Sequence, residues 1–151
     1  MSASTHVGVR AAPVPAAINA LINGAIAYIG FRGANAVPLS VDSISSGEKT
    51  VLSEVVLIAF SLSAILGVIT AVLFQRVADI RPRRAMFPGL VGLALEQAVL
   101  LFGACVVLAV LWQRVAGTVT VGPAMAALLV AAAAAVITAI VDIRVKRALL
   151  R

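Results

Sequence analysis

The sequence has few charged residues and almost none of the side chains that bind metals. Asp, Glu, Lys and Arg make up 12% of its 151 residues, about half of the roughly 25% found in soluble domains. It has one cysteine, Cys105, and one histidine, His6, so it offers neither an internal disulfide nor the Cys and His ligands of a zinc site. These shortages exclude an ordinary soluble enzyme, and we expect no metal centre and no cofactor.

What the sequence has in excess is apolar length. Hydrophobic residues make up 62% of the chain, and long apolar stretches lie at about 13–31, 51–74, 86–112 and 123–141. A helix needs roughly 20 such residues to cross a hydrocarbon core of about 30 Å. The sequence therefore predicts an all-α membrane protein whose four transmembrane helices form an antiparallel bundle.

The basic residues sort by membrane side and predict the orientation of the bundle. The chain has 12 Lys and Arg, and alternating spans place nine of them on one side: Arg10, Arg76, Arg81, Arg83, Arg84, Arg144, Lys146, Arg147 and Arg151. By the positive-inside rule that side is the cytoplasm. We therefore expect a cytoplasmic tail at 1–12, a transmembrane domain at 13–147 and a cytoplasmic tail end at 148–151. Charges sorted in this way do not indicate a nucleic-acid partner.

The first span has features of a secretory signal peptide. Arg10 precedes its apolar run, and Ala34-Asn35-Ala36 follows it as a cleavage-like site. The run is longer than a usual signal core and contains Asn19 and Asn23. We expect the first span to be retained.

Glu96 is the residue that stands out within the spans. It lies about ten residues from the inner end of the third span, near the bilayer midplane, where an acidic side chain costs about 2.5–3.5 kcal/mol. Counting from the cytoplasmic ends places other polar residues at a similar depth, and the predicted intramembrane cluster consists of Glu96, Asn23, Asn19, Ser63 and Gln97. Two interpretations remain open: a protonated Glu96 joins the first and third helices by hydrogen bonds, or it carries protons or binds a ligand.

Two patterns concern how the helices are arranged. Span four contains the unbroken alanine run 131–135, which predicts close helix packing. The short third loop, 113–122, predicts that spans three and four are antiparallel neighbours.

The two halves of the chain also suggest a tandem repeat of two-helix hairpins. Pro15 and Asn23 match Pro88 and Glu96 at an offset of 73, and the basic segment 79–84 matches 142–147 at an offset of 63. Such a repeat would be related by an axis along the membrane normal. The similarity of any two basic inner boundaries is the alternative explanation.

The cytoplasmic basic residues have a second interpretation, as contacts for anionic lipid headgroups, each worth about 1 kcal/mol. The candidates are Arg81, Arg83, Arg84, Arg144, Lys146 and Arg147. No catalytic motif accompanies them.

The stretch 18–27, INALINGAIA, followed by Val37-Pro38-Leu39, resembles the start of small bacterial inner-membrane proteins of two or four helices that have no assigned activity. The resemblance implies a multi-pass protein of the bacterial inner membrane and supplies no catalytic residue. The leading hypothesis is a structural or accessory membrane component whose partners are membrane lipids and either a second copy or a larger membrane complex. The alternative is a small proton-coupled transporter or permease that uses Glu96, and a lipid-modifying enzyme is third.

Overall fold

The computed structural model describes residues 13–40, 49–77 and 86–149. The helices are α1 (Pro13–Phe31), α2 (Val51–Val77), α3 (Met86–Ala116) and α4 (Pro123–Leu149), and the strands are β1 (Val37–Leu39) and β2 (Val119–Val121). All four helices are long and apolar enough to cross a membrane. The prediction of an all-α, four-helix membrane protein is confirmed.

The helices begin and end where local chemistry allows it. Pro13 opens α1, at a position where the missing N–H of proline has no helical partner to lose. Thr50 caps α2, since its Oγ1 accepts a hydrogen bond from the Ser53 N–H at 3.3 Å. α3 continues past the predicted end of its span to Ala116 and ends at Gly117, whose φ of 66° is left-handed. α4 likewise continues beyond its apolar stretch, as far as Leu149.

The helices pack in the order α1, α4, α2, α3. α4 contacts both α1 and α2, and α3 packs mainly on α2. α4 also buries the largest share of its span, which agrees with the close packing expected of its alanines. The expectation that spans three and four are packed neighbours is wrong, because within the described residues α3 and α4 make few contacts with each other.

Two short strands, not anticipated from the sequence, join the loop between α1 and α2 to the loop between α3 and α4. β1 and β2 pair antiparallel, with Pro38 opposite Thr120 at the centre of the register. The buried Val37 and Leu39 lie in one apolar cluster with Phe31 of α1 and Val51 of α2. This pairing ties the first hairpin to the second, which the loop lengths alone could not reveal.

The order of elements has the symmetry that a tandem repeat requires. Helix, strand and helix occur twice along the chain. Exchanging α1 with α3 and α2 with α4 turns the pair α1–α4 into α3–α2 and leaves the pair α2–α4 as it is, so the same helices remain in contact. The residue alignment at an offset of 73 does not match the packing faces, because Ala27 and Phe31 are buried whereas Leu100 and Ala104 are exposed. The matching segment 79–84 lies outside the described residues.

Candidate functional site at membrane depth

The five residues of the predicted cluster lie in three places: near the α1–α4 interface, in the α2–α3 interface and on the exposed surface of α3. α1 carries Asn19 and Asn23 and packs on α4, whereas Glu96 and Gln97 lie on α3, which packs on α2. Within the described residues, α1 and α3 are not packed neighbours. The interpretation in which Glu96 joins the first and third helices of one chain is therefore not supported by the fold.

The two asparagines of α1 use their amide groups locally. Asn19 Nδ2 donates to the Pro15 carbonyl at 3.1 Å, and Asn23 Nδ2 donates to the Asn19 carbonyl at 2.9 Å. Next to them, an ideal Cβ on Gly24 would lie 2.9 Å from Ala131 Cβ of α4. The contact between α1 and α4 thus depends on small residues, and the half-buried asparagines lie at its margin.

The interface between α2 and α3 holds the other two polar members, Ser63 and Gln97. Ser63 is 0% exposed and Gln97 is 3% exposed. Ser63 Oγ and Gln97 Oε1 have no hydrogen-bond partner among the residues that the structure describes. Ser63 and Gln97 are thus buried between α2 and α3, apart from the asparagines of α1.

The register of α2 against α3 places Ser63 and Gln97 at the same level. On one side of them along the helix axes, an ideal Cβ on Gly67 would lie 2.9 Å from Ala94 Cβ. On the other side, the rings of Phe60 and Phe102 meet edge to face with centroids 5.9 Å apart. Ser63 follows Phe60 by three residues and Gln97 follows Ala94 by three, so both side chains lie between these two contacts.

Glu96 has the opposite environment from its neighbour Gln97. Consecutive residues of a helix are rotated by about 100°, and the side chain of Glu96 is exposed on the surface of the bundle. It lies ten residues from Met86, or about 15 Å along the axis, well inside a hydrocarbon core of about 30 Å. An acidic group thus faces outward at membrane depth.

Three glycines lie along the same face of α3 as Glu96. Gly89, Gly92, Glu96 and Gly103 follow one another at spacings of three, four and seven residues, which is the repeat of a helix-packing seam. Nothing lies within 4 Å of an ideal Cβ on any of the three glycines. We call the face defined by these four residues the open face of α3. The 3–4 spacing around Glu96 was the sequence signal that could have identified it.

Near the C-terminal end of α4, Lys146 and Asp142 form a mostly buried ion pair. Lys146 Nζ lies 2.8 Å from Asp142 Oδ2, and the two side chains are 13% and 6% exposed. Arg144 and Arg147 are exposed on the same turns. Of the residues predicted to contact headgroups, Arg144 and Arg147 are exposed and Lys146 is paired with Asp142, whereas Arg81, Arg83 and Arg84 lie outside the described residues.

Neither a metal centre nor a relative points to an activity. Among the described residues, no group of three or more His, Cys, Asp or Glu side chains is placed to hold a metal. No protein-family model matches the chain, and no curated protein or solved structure is significantly similar to it. The chain is an integral, multi-pass membrane protein by its four helices, and its function has to be inferred from its own residues.

Proposed function

We propose that this protein is a structural or accessory component of a bacterial inner membrane, with both termini cytoplasmic, and that it works as an assembly of two copies joined through the open face of α3. The observation that carries the proposal is the exposed Glu96 at membrane depth. The cost of about 2.5–3.5 kcal/mol for an acidic side chain at a helix centre is reduced when a second protein surface covers it. Association is thus favoured by removing Glu96 from lipid.

The exposed surface of α1, the helix at the opposite end of the packing order from α3, differs from the open face of α3. α1 presents large apolar side chains to the outside, with Leu21 74%, Ile26 63% and Ile29 63% exposed. Such side chains are suited to lipid acyl chains. α3 also exposes large apolar side chains, such as Val99 at 60% and Leu108 at 66%, but its open face adds three glycines, which let another helix backbone approach closely.

A second copy of the chain fits this face better than lipid does. Two copies with the same orientation meet around a two-fold axis along the membrane normal, so each residue near the axis faces its own equivalent. Glycine against glycine permits a close crossing. Carboxyl groups can form hydrogen bonds with one another, so two Glu96 side chains that face each other can stabilise the pair.

Energy transfer between labelled copies in lipid vesicles tests the proposal. We expect Glu96→Gln to retain association, because a primary amide also donates and accepts. Glu96→Leu is expected to weaken it about three- to thirty-fold, the equivalent of about 0.6–2 kcal/mol for a hydrogen bond in a membrane. Gly92→Ile should abolish it by blocking close approach, whereas the matched control Ala25→Ile, on the exposed face of α1, should not.

Other outcomes contradict the proposal. A folded wild-type protein that stays monomeric at every protein-to-lipid ratio overturns it. If neither Gly92→Ile nor Glu96→Leu affects association, the two copies contact each other through a face other than the open face of α3. Loss of a measured proton-coupled transport in Glu96→Gln, with folding intact, would favour the transporter alternative, because glutamine cannot carry the proton.

A further inference from the structure

Ser63 and Gln97 form a polar site inside the bundle that the proposed assembly does not use. Both residues are more than nine-tenths buried, and both leave an oxygen without a protein partner in the described part of the chain. Buried polar atoms in folded proteins almost always have a partner, either protein or ordered water. Ser63 Oγ and Gln97 Oε1 lie at the same level of the same interface, so one shared partner could satisfy both atoms.

Other hydroxyl groups in the spans donate to a backbone carbonyl of their own helix, whereas the Ser63 hydroxyl does not. Ser61 Oγ donates to the Leu57 carbonyl at 2.9 Å, and Thr138 Oγ1 donates to the Ala134 carbonyl at 2.7 Å. This bond to the fourth preceding carbonyl is the ordinary way for a hydroxyl to be satisfied within an apolar helix. Ser63 does not make it, although it lies in a regular part of α2.

We propose that Ser63 and Gln97 bind one internal water molecule between α2 and α3. A water molecule can donate to Gln97 Oε1 while it accepts from, or donates to, the Ser63 hydroxyl. A polar site enclosed by protein and offering at least two partners is where buried waters are found. A metal ion is a poor fit, because a hard cation takes six or more oxygen ligands and prefers carboxylates.

The site lies next to a close contact between α2 and α3. The Gly67–Ala94 contact brings the two backbones together about one turn below Ser63. Since Ser63 and Gln97 face this interface, a water held by both links the helices without a direct side-chain bond. The site thus acts as a positioning element for α3, and it rests on no part of the proposed dimer.

Magnetisation transfer from water to the side-chain amide of Gln97 tests the site by NMR, using the full chain in nanodiscs of deuterated lipid. We expect transfer at Gln97, with the resonance assigned by its loss in Gln97→Met. The amide of Asn23, also within a span, donates to a backbone carbonyl and serves as the matched control without transfer. A folded wild-type protein with no transfer at Gln97 overturns the proposal, and this result requires no variant.

Two substitutions test whether the pair shares the water. Ser63→Ala is expected to reduce the transfer at Gln97 at least several-fold, because one of the two ligands is removed. Ser61→Ala, on the exposed side of the same helix, should leave it unchanged. Transfer that persists in a folded Ser63→Ala protein would show that Gln97 binds water without Ser63 and would overturn the shared site.

Discussion

Gly67 of α2 lies against the backbone of Ala94 of α3. An ideal Cβ on Gly67 would come within 2.9 Å of Ala94 Cβ and 3.0 Å of Ala94 Cα. Real Cβ atoms essentially never approach other atoms so closely, and a backbone atom cannot move aside as a flexible side chain can. This contact therefore sets the spacing of the two helices.

We predict that Gly67→Ala destabilises the bundle by about 1–3 kcal/mol, the usual cost of overpacking a well-packed site. The measurement is the free energy of unfolding by steric trapping in lipid bicelles, with the protein dilute in lipid. Gly103→Ala, where nothing lies within 4 Å of the new methyl group, is the matched control and should cause no loss. A double variant with Ala94→Gly should restore stability only in part, because the Ala94 Cα remains. Equal stability of the Gly67 and Gly103 variants would contradict the close contact.

The start of α2 supplies a second prediction. Thr50 is 1% exposed, and its hydroxyl donates to the Ser40 carbonyl at 2.5 Å while it accepts from the Ser53 N–H. It thereby joins the helix cap to the segment that follows β1. We expect Thr50→Val, which keeps the shape but removes the hydroxyl, to cost about 1–2 kcal/mol.

The same unfolding measurement checks the Thr50 prediction, with Thr50→Ser as its control. Serine keeps the hydroxyl and should retain most of the stability. If Thr50→Val keeps the wild-type free energy of unfolding while Thr50→Ser lowers it, the methyl group and not the hydroxyl stabilises this position, and the capping account is wrong.

The four helices could be predicted from the sequence, but which helices pack against each other could not. Length and apolar character alone identify a spanning helix, because a bilayer imposes one requirement on all of them. Which helices touch depends on matched small surfaces far apart in sequence, such as Gly24 against Ala131. The pairing of Pro38 with Thr120 is equally non-local. Loop length therefore gave the wrong neighbour for α3.

For the candidate site, the depth of each residue along its helix could be predicted by counting, but the direction in which its side chain faces could not. Counting residues placed Ser63 and Gln97 at one level, and both are buried in the same interface. A helix that is apolar on every side carries no stripe to mark its packing face. The spacing of Gly89, Gly92 and Glu96 was the one sequence signal for the open face, and no pattern indicated that Gln97 faces inward.

The ion pair of α4 supports a third prediction. Asp142 and Lys146 are mostly buried near the C-terminal end of the helix. Their pairing is expected to contribute between the ~0–1 kcal/mol of an exposed pair and the ~3–5 kcal/mol lost on breaking a fully buried one. We predict that Asp142→Ala lowers the free energy of unfolding within that range.

The exposed Arg144 provides the control for the Asp142 substitution. Arg144→Gln removes a charge from an adjacent exposed position and should change the free energy of unfolding by no more than about 0.5 kcal/mol. A loss in Arg144→Gln as large as in Asp142→Ala would attribute the effect to the overall charge of the inner end instead of to the buried pair.

The orientation of the bundle gives the fourth prediction. By the positive-inside rule, the nine basic residues counted on one side predict that the end of α4 is cytoplasmic and that the paired strands lie outside. Single cysteines at Thr118 and Ala148, both exposed in the structure, are introduced after Cys105→Ala has removed the native thiol. An impermeant thiol reagent added to intact cells should label position 118 and leave position 148 unlabelled until the membrane is permeabilised. Labelling of position 148 alone before permeabilisation would reverse the orientation, and with it the assignment of Arg144 and Arg147 to the cytoplasmic headgroups.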